Sequence, residues 1–150
     1  MSDQLRWPRE ATLLPMIQQR LAKDGTRMQV IDQHGLEAGI DRARTYAGYE
    51  PDAPLSKLAA VMMEGITQHH PLQDGNKRAA FFCAMIFLVV NGKYPDLPQV
   101  EVARMVRAMV TGDITVDNLA AFFEAHLIDL PPGVMDSERP DDQGAQRRAN

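Results

Sequence analysis

The sequence predicts an all-α fold arranged around one buried helix. Apolar residues recur at three- and four-residue intervals in segment after segment, and no segment shows a strong alternation of apolar and polar positions. Residues 79–90 are apolar throughout, which suits a helix covered on every side. A chain of 150 residues fits one domain. A domain of that size buries roughly two thirds of its unfolded surface, enough for a core without metals or disulfides.

Each element follows in order. Residues 1–8 are polar apart from Leu5 and Trp7 and read as a loose arm, so 1–11 is set apart as an N-terminal arm. Leu13, Leu14, Ile17 and Leu21 predict an amphipathic helix over 12–23, with Pro15 in its first turn and Gly25 as its stop. Leu36, Ile40 and Ala43 share one face of a second, shorter helix over 36–44. Gly48, Pro51 and Pro54 make 46–54 a loop or flap, with a short β-hairpin as an option there. Ser56 is a suitable N-cap for a helix over 57–69, whose apolar side is Leu58, Val61, Met62, Gly65 and Ile66.

Proline and glycine in 71–76 break that helix. The next runs over 77–90 and ends at the C-cap pair Asn91-Gly92; it is expected to be the central buried helix. Val102, Met105, Val106 and Met109 define a helix over 99–110 that stops at Gly112. Thr115 caps a last helix through Leu127, with Leu119, Phe122, Phe123 and Leu127 facing inward. The catalytic domain is placed at 12–130, and the polar, proline-bearing stretch 131–150 is read as a disordered tail.

Composition narrows the function classes. A formal charge of −4 disfavours a nucleic-acid surface, which needs a basic field. The one cysteine, Cys83, suits a reducing compartment, and its apolar surroundings make it a buried inert thiol rather than a nucleophile. No signal peptide is visible, and the longest apolar run has 12 residues against the roughly 20 that a membrane span requires. The expected location is cytoplasmic.

The segment that carries chemistry is His70-Pro71-Leu72-Gln73-Asp74-Gly75-Asn76-Lys77-Arg78. A glycine-bearing turn feeds directly into a helix, whose first turn offers unpaired N–H groups and the positive end of the dipole. Such an end binds anions. Gly75 permits a positive φ and a close approach of backbone to ligand. Lys77 and Arg78 set two cations where the dipole prefers acids, which an anion would relieve. Arg78 can grip a phosphate with two donors, while Lys77 acts as a point charge. Asp74 is the loop's only carboxylate, a natural ligand for Mg²⁺ beside phosphate oxygens. Asn76 can donate to a phosphate or accept from the backbone. An imidazole titrates near neutrality, so His70 can take a proton from a hydroxyl. Phosphoryl chemistry needs mainly positioning and charge stabilisation, and this set nearly supplies both.

This stretch resembles the signature of the Fic/Doc (Fido) family, H-x-F-x-[D/E]-G-N-[G/K]-R, and its D-G-N-K-R form resembles the Doc branch of toxins from toxin–antitoxin modules. The similarity extends over about residues 12–127, including the Gly35-Leu36 to Arg42 segment and the Thr111-Gly112-Asp113-Ile114-Thr115 turn. The resemblance implies a Fido-like helical bundle. It makes His70 the general base on a target hydroxyl, Asp74 the Mg²⁺ ligand, Gly75 and Asn76 the anion-binding turn, and Arg78 a phosphate ligand. Lys77 stands where adenylyl-transferring Fic proteins usually have glycine, and a long cation there intrudes on the β- and γ-phosphate positions. Doc-like members are thought to bind ATP reversed and to act as protein kinases. Their implied target is a Thr of elongation factor Tu, and the outcome is arrested translation. In the family, the region of the 46–54 flap is implicated in docking the target.

Two residues depart from the pattern without removing a catalytic group: Leu72 replaces the usual Phe, and Ala79 stands where Thr is common. There is no [S/T]-x-x-x-E-[G/N] inhibitory motif, since Ala60 precedes Glu64-Gly65 at the required position, so inhibition implies a separate antitoxin chain. Three alternatives stay open: transfer of AMP, a non-catalytic binding partner or corepressor, and a His-Asp phosphohydrolase, which would need ligands not evident here. Among the remaining histidines, His69 is structural or exposed, and His34 and His126 take surface roles. The Met residues and both Phe pairs are read as core.

Overall fold

A computed structural model describes residues 5–9, 15, 16, 19, 33–68 and 74–130, with the backbone alone at 33, 34, 68, 74–79 and 110. Among these residues the elements are α1 (Gln33–Tyr49), α2 (Leu55–Gln68), α3 (Asp74–Val90), β1 (Lys93–Pro95), α4 (Gln99–Thr111), α5 (Val116–His126) and β2 (Leu127–Asp129). The all-α expectation holds, with one short strand pair added. Pro15, Met16 and Gln19 are helical, and the rest of the helix expected over 12–23 lies outside the described residues, as does the tail 131–150.

The central helix is α2, not the helix after the motif. Its Leu58, Ala59, Ala60, Val61, Met62, Met63 and Ile66 are all buried, and it packs against α1, α3 and α5. On α3 the buried side chains are Ala80, Cys83, Ala84, Phe87 and Leu88, while Phe81, Phe82, Met85, Ile86, Val89 and Val90 are half-buried. Apolar composition alone cannot separate these cases: α2 is covered on three sides because small alanines let three helices close on it.

Polar residues fix both ends of α2. The amides of Lys57 and Leu58 donate to the carbonyl of Pro54 at 3.0 and 3.1 Å, so the helix opens at Leu55 and Ser56 is not its N-cap. Ser56 is instead buried, and its hydroxyl donates to Glu124 Oε1 on α5 at 3.2 Å. Lys57 forms an ion pair with Asp117 and lies over the Tyr46 ring, 5.6 Å from its centroid. At the other end Gly65 meets Gly39 of α1, backbone against backbone.

Helix α1 extends beyond 36–44 in both directions and absorbs Tyr46, Ala47, Gly48 and Tyr49 from the expected flap. Ala47 is buried, which rewards the extra turn. The turn at 50–54 that remains is closed by Ala53 N–H to the Glu50 carbonyl at 3.0 Å. It forms no hairpin. The strand pair is β1 with β2, antiparallel, with Tyr94 opposite Ile128. Each strand has three residues and the partners lie more than 30 residues apart, so no local pattern announces them.

The stops expected at Gly92 and Gly112 and the cap expected at Thr115 hold. Gly92 and Gly112 take positive φ of 89° and 81°, the left-handed conformation that glycine adopts without strain. Thr115 and Asn118 form a reciprocal capping box, each side chain accepting from the other's amide at 3.1 Å. Residues 5–9 are not loose. Trp7 stacks on Phe87 with centroids 4.9 Å apart, and Asn91 exchanges two hydrogen bonds with the Arg6 backbone. Trp7 also receives the Arg44 guanidinium over its ring at 5.7 Å.

A Cβ at Gly39 would sit 2.8 Å from the Met62 carbonyl oxygen and 2.9 Å from the Ile66 nitrogen, backbone atoms that cannot swing aside. Overpacking costs about 1–3 kcal/mol, more than the roughly 1 kcal/mol that alanine gains over glycine in a helix. Gly39→Ala is therefore expected to lower the unfolding free energy by up to about 2 kcal/mol, seen as a lower urea midpoint at unchanged m. Gly48→Ala, with nothing within 4 Å of the added carbon, is expected to raise it by up to about 1 kcal/mol.

Candidate active site

The site expected at 70–78 straddles the junction between α2 and α3. His70, with 69 and 71–73, lies outside the described residues. Asp74, Gly75, Asn76, Lys77 and Arg78 are the first five residues of α3, a helix of 17 residues. The expectation placed the helix start at Lys77. It begins three residues earlier, and this changes the local electrostatics. The amides without intrahelical partners are those of the first four residues, Asp74, Gly75, Asn76 and Lys77. Asp74 now stands at the positive end of the dipole, where a carboxylate is favoured, and Lys77 and Arg78 close the first turn instead of opening it. Gly75 is helical rather than a turn residue at positive φ, so what it contributes is the missing side chain. A ligand can approach its amide with no Cβ in the way.

The support under this junction is well defined. Ile66 in the last turns of α2 is buried, as is Ala80 in the second turn of α3. Glu64 accepts from Arg42 of α1 at 2.6 Å, and the Thr67 hydroxyl donates to the Glu64 carbonyl at 3.1 Å. The sequence reading missed both the Arg42–Glu64 pair and Ser56–Glu124. Neither has a motif, and each joins residues more than 20 positions apart.

Two residues weighed as alternatives fall outside the site. Cys83 is fully buried, its thiol 3.5 Å from Met62 Sδ, and burial pushes it up to about 12 from an ordinary 9.0. It is the inert thiol expected from the sequence. His126 is half-buried, its Nδ1 2.9 Å from the Phe122 carbonyl oxygen and its ring 4.9 Å from the Phe122 ring. Among the described residues no three His, Cys, Asp or Glu gather as a metal cage. Mg²⁺ held through one carboxylate and phosphate oxygens needs no such cage, and the donor set at the start of α3 suits that mode. No helix among the described residues is long and apolar enough to cross a membrane.

Residues 12–88 match the Fic/DOC family, a span that runs from the N-terminal helical segment through most of α3. The chain belongs to the Fic/DOC family. Its relatives include "Toxin Doc" of Mycolicibacterium smegmatis, 30% identical over 100 residues that cover 65% of this chain and 77% of that protein. They also include "Protein kinase doc" of Escherichia phage P1, 33% identical over 85 residues, or 56% of this chain and 66% of that one.

The buried thiol sets a pH dependence. A group whose pKa is raised in the folded state lends stability that is whole below its unfolded value and is lost as pH climbs toward the folded one. For Cys83 that window runs from 9.0 to about 12. Lys57 adds to the same alkaline loss above 10.5, because its hydrogen bond to Asp117 raises it against an opposing desolvation. Unfolding free energy should fall from about pH 9 upward, and Cys83→Ala should remove the lower part of that fall. At pH 8 a disulfide reagent should leave the native chain unlabelled and react with Cys83 once guanidinium unfolds it.

Proposed function

We propose that this chain is a Doc-type toxin that transfers the γ-phosphoryl group of ATP to a Ser or Thr hydroxyl of a protein target. The observation that carries the reading is the D-G-N-K-R run opening a long helix four residues after His70 in sequence, in a chain of the Fic/DOC family. A relative named as a protein kinase favours phosphoryl over adenylyl transfer, as does Lys77 at the position where adenylyl-transferring members usually have glycine.

The chemistry assigned to each residue follows. The amides of Asp74 to Lys77 and the Arg78 guanidinium hold the polyphosphate and neutralise charge that builds on it in the transition state. His70 accepts the proton of the target hydroxyl as its oxygen attacks the γ-phosphorus. The new O–P bond forms as the bond from that phosphorus to the β,γ-bridging oxygen breaks, and ADP carries away the electron pair. Mg²⁺ at Asp74 would supply further charge neutralisation on the phosphates. Little covalent work falls to the protein, so positioning dominates the rate. The proposed target, on the family resemblance, is a Thr of elongation factor Tu, with arrested translation as the result.

A separate antitoxin chain completes the proposal. Glu64, which stands before Gly65 as the glutamate of the inhibitory motif would, lacks the upstream hydroxyl of that motif and pairs with Arg42.

The test is ATP labelled at either the α- or the γ-phosphate, incubated with Mg²⁺, the purified chain and elongation factor Tu or cell lysate. Only γ-label is expected to enter protein. His70→Ala should slow its entry by about a hundred- to ten-thousandfold, the usual worth of a general base, without loss of fold. Label entering from the α-position would instead establish nucleotidyl transfer. A growth defect that survives His70→Ala would point to a binding role.

A further inference from the structure

Residues 5–9, Leu-Arg-Trp-Pro-Arg, are pinned to the domain by everything except their two arginine side chains. Leu5 packs against the core. The Arg6 amide donates to Asn91 Oδ1 and the Arg6 carbonyl accepts from Asn91 Nδ2, both at 2.9 Å. Trp7 stacks on Phe87, and Pro8 is buried. Arg6 and Arg9 are exposed, and among the described residues neither guanidinium has a partner. Arg44 of α1 brings a third guanidinium, 5.7 Å from the centre of the Trp7 ring. Its ion pair is with Asp41, at 3.5 Å, with both side chains more than half exposed.

Arg6 and Arg9 lie within two residues of Trp7, so their Cα atoms are at most about 7 Å from its own. Three guanidinium groups thus gather around one indole, on a chain whose formal charge is −4. The backbone that carries two of them is already ordered, so a partner binding there meets little cost in fixing it. Trp and Arg are the residues that dominate protein–protein contacts, and a guanidinium grips a carboxylate through two parallel hydrogen bonds. Nucleic acid fits less well. Phe87 and Arg44 already lie against the indole, which leaves no platform for a base, and the net charge opposes a long polyanion. The patch also stands away from the motif, since Phe87 follows Asp74 by 13 residues of α3, about 20 Å of helix.

We propose that Arg6, Arg9 and Arg44, set around Trp7, form a docking surface for a carboxylate-rich segment of a partner protein. Carboxylates of that segment take the free guanidinium groups of Arg6 and Arg9 and draw Arg44 from its weak pair with Asp41. A segment seated there leaves the amides at the start of α3 open, so the surface is independent of the proposed phosphoryl transfer.

The chain has one tryptophan, so Trp7 emission reports on the surface itself. The full-length wild type is titrated with a glutamate-rich peptide, fluorescein-labelled for anisotropy and unlabelled for Trp7 emission. The same peptide with glutamine for glutamate, and a single-stranded oligonucleotide, serve as comparisons. The variants are Arg6→Gln/Arg9→Gln and Arg44→Gln, with Arg104→Gln/Arg107→Gln on the exposed side of α4 as a control for charge alone. The glutamate peptide is expected to raise the anisotropy and shift Trp7 emission, more weakly as salt rises, and the glutamine peptide to do neither. Affinity should drop about tenfold in Arg6→Gln/Arg9→Gln and severalfold in Arg44→Gln, and stay near wild type in the α4 control. Melting temperatures should hold; if Arg44→Gln melts early, the Arg6 and Arg9 side chains, which carry no contact, decide alone. Equal binding by the wild type and the Arg6→Gln/Arg9→Gln variant would overturn the proposal, as would equal binding of the two peptides. Tighter binding of the oligonucleotide than of the glutamate peptide would overturn it in favour of nucleic acid. A wild-type dimer that Arg6→Gln/Arg9→Gln dissociates would overturn it in favour of a second copy of the chain.

Discussion

Two helices touching at glycine set the frame for everything else in this protein. With no Cβ at Gly39 or Gly65, α1 and α2 approach until backbone meets backbone, and the Arg42 stem fills the shallow channel that remains. The closeness matters because α2 carries the core on its other faces. Its alanines admit α3 and α5, and its Met62, Met63 and Leu58 fill the space between them. Move the crossing outward by the width of a methyl group and each of those contacts loosens together, since packed interiors transmit a displacement rather than absorb it.

Around that frame the molecule separates its restraints from its chemistry. The N-terminal end of α2 is tied to α5 by Ser56–Glu124 and Lys57–Asp117, and the far end to α1 by Arg42–Glu64. Between α2 and α3 lies the junction that carries the motif. Helix α3, beginning at Asp74, presents its free amides from a fixed place, because Ala80, Cys83 and Ala84 seat it against the core.

The peripheral parts follow a different logic. Helix α4 and the strand pair add cover and little else to the core, and Tyr94, Val100 and Ile128 remain exposed on them. Residues 5–9 act as a strap, with Trp7 between Phe87 and Arg44 and the Arg6 backbone bound to Asn91 at the end of α3. Asn91 serves twice, since its side-chain amide also donates to the Phe87 carbonyl. The turn that ends α3 and the N-terminal strap therefore share one residue.

The sequence by itself determined the helical class, the stops at Gly92 and Gly112, the cap at Thr115, the inert Cys83 and the chemical identity of the motif. Each of these is a local property: periodicity, a left-handed turn that only glycine enters freely, a side chain bonding an amide three residues on, or a run of residue types. Only the tertiary structure decided which helix is central, that Ser56 faces α5 instead of capping α2, that α1 absorbs the first four residues of the expected flap, and that the strand pair joins 93–95 to 127–129. It also set the start of α3 at Asp74, putting the acid rather than the cations at the positive end of the dipole, and brought Arg42 to Glu64. These are choices among locally equal options. An apolar helix can be central or lateral, a serine can cap or cross, and a glycine can break a helix or let another one touch it. What settles each choice is the partner that arrives from elsewhere in the chain, and no window of neighbouring residues contains that partner.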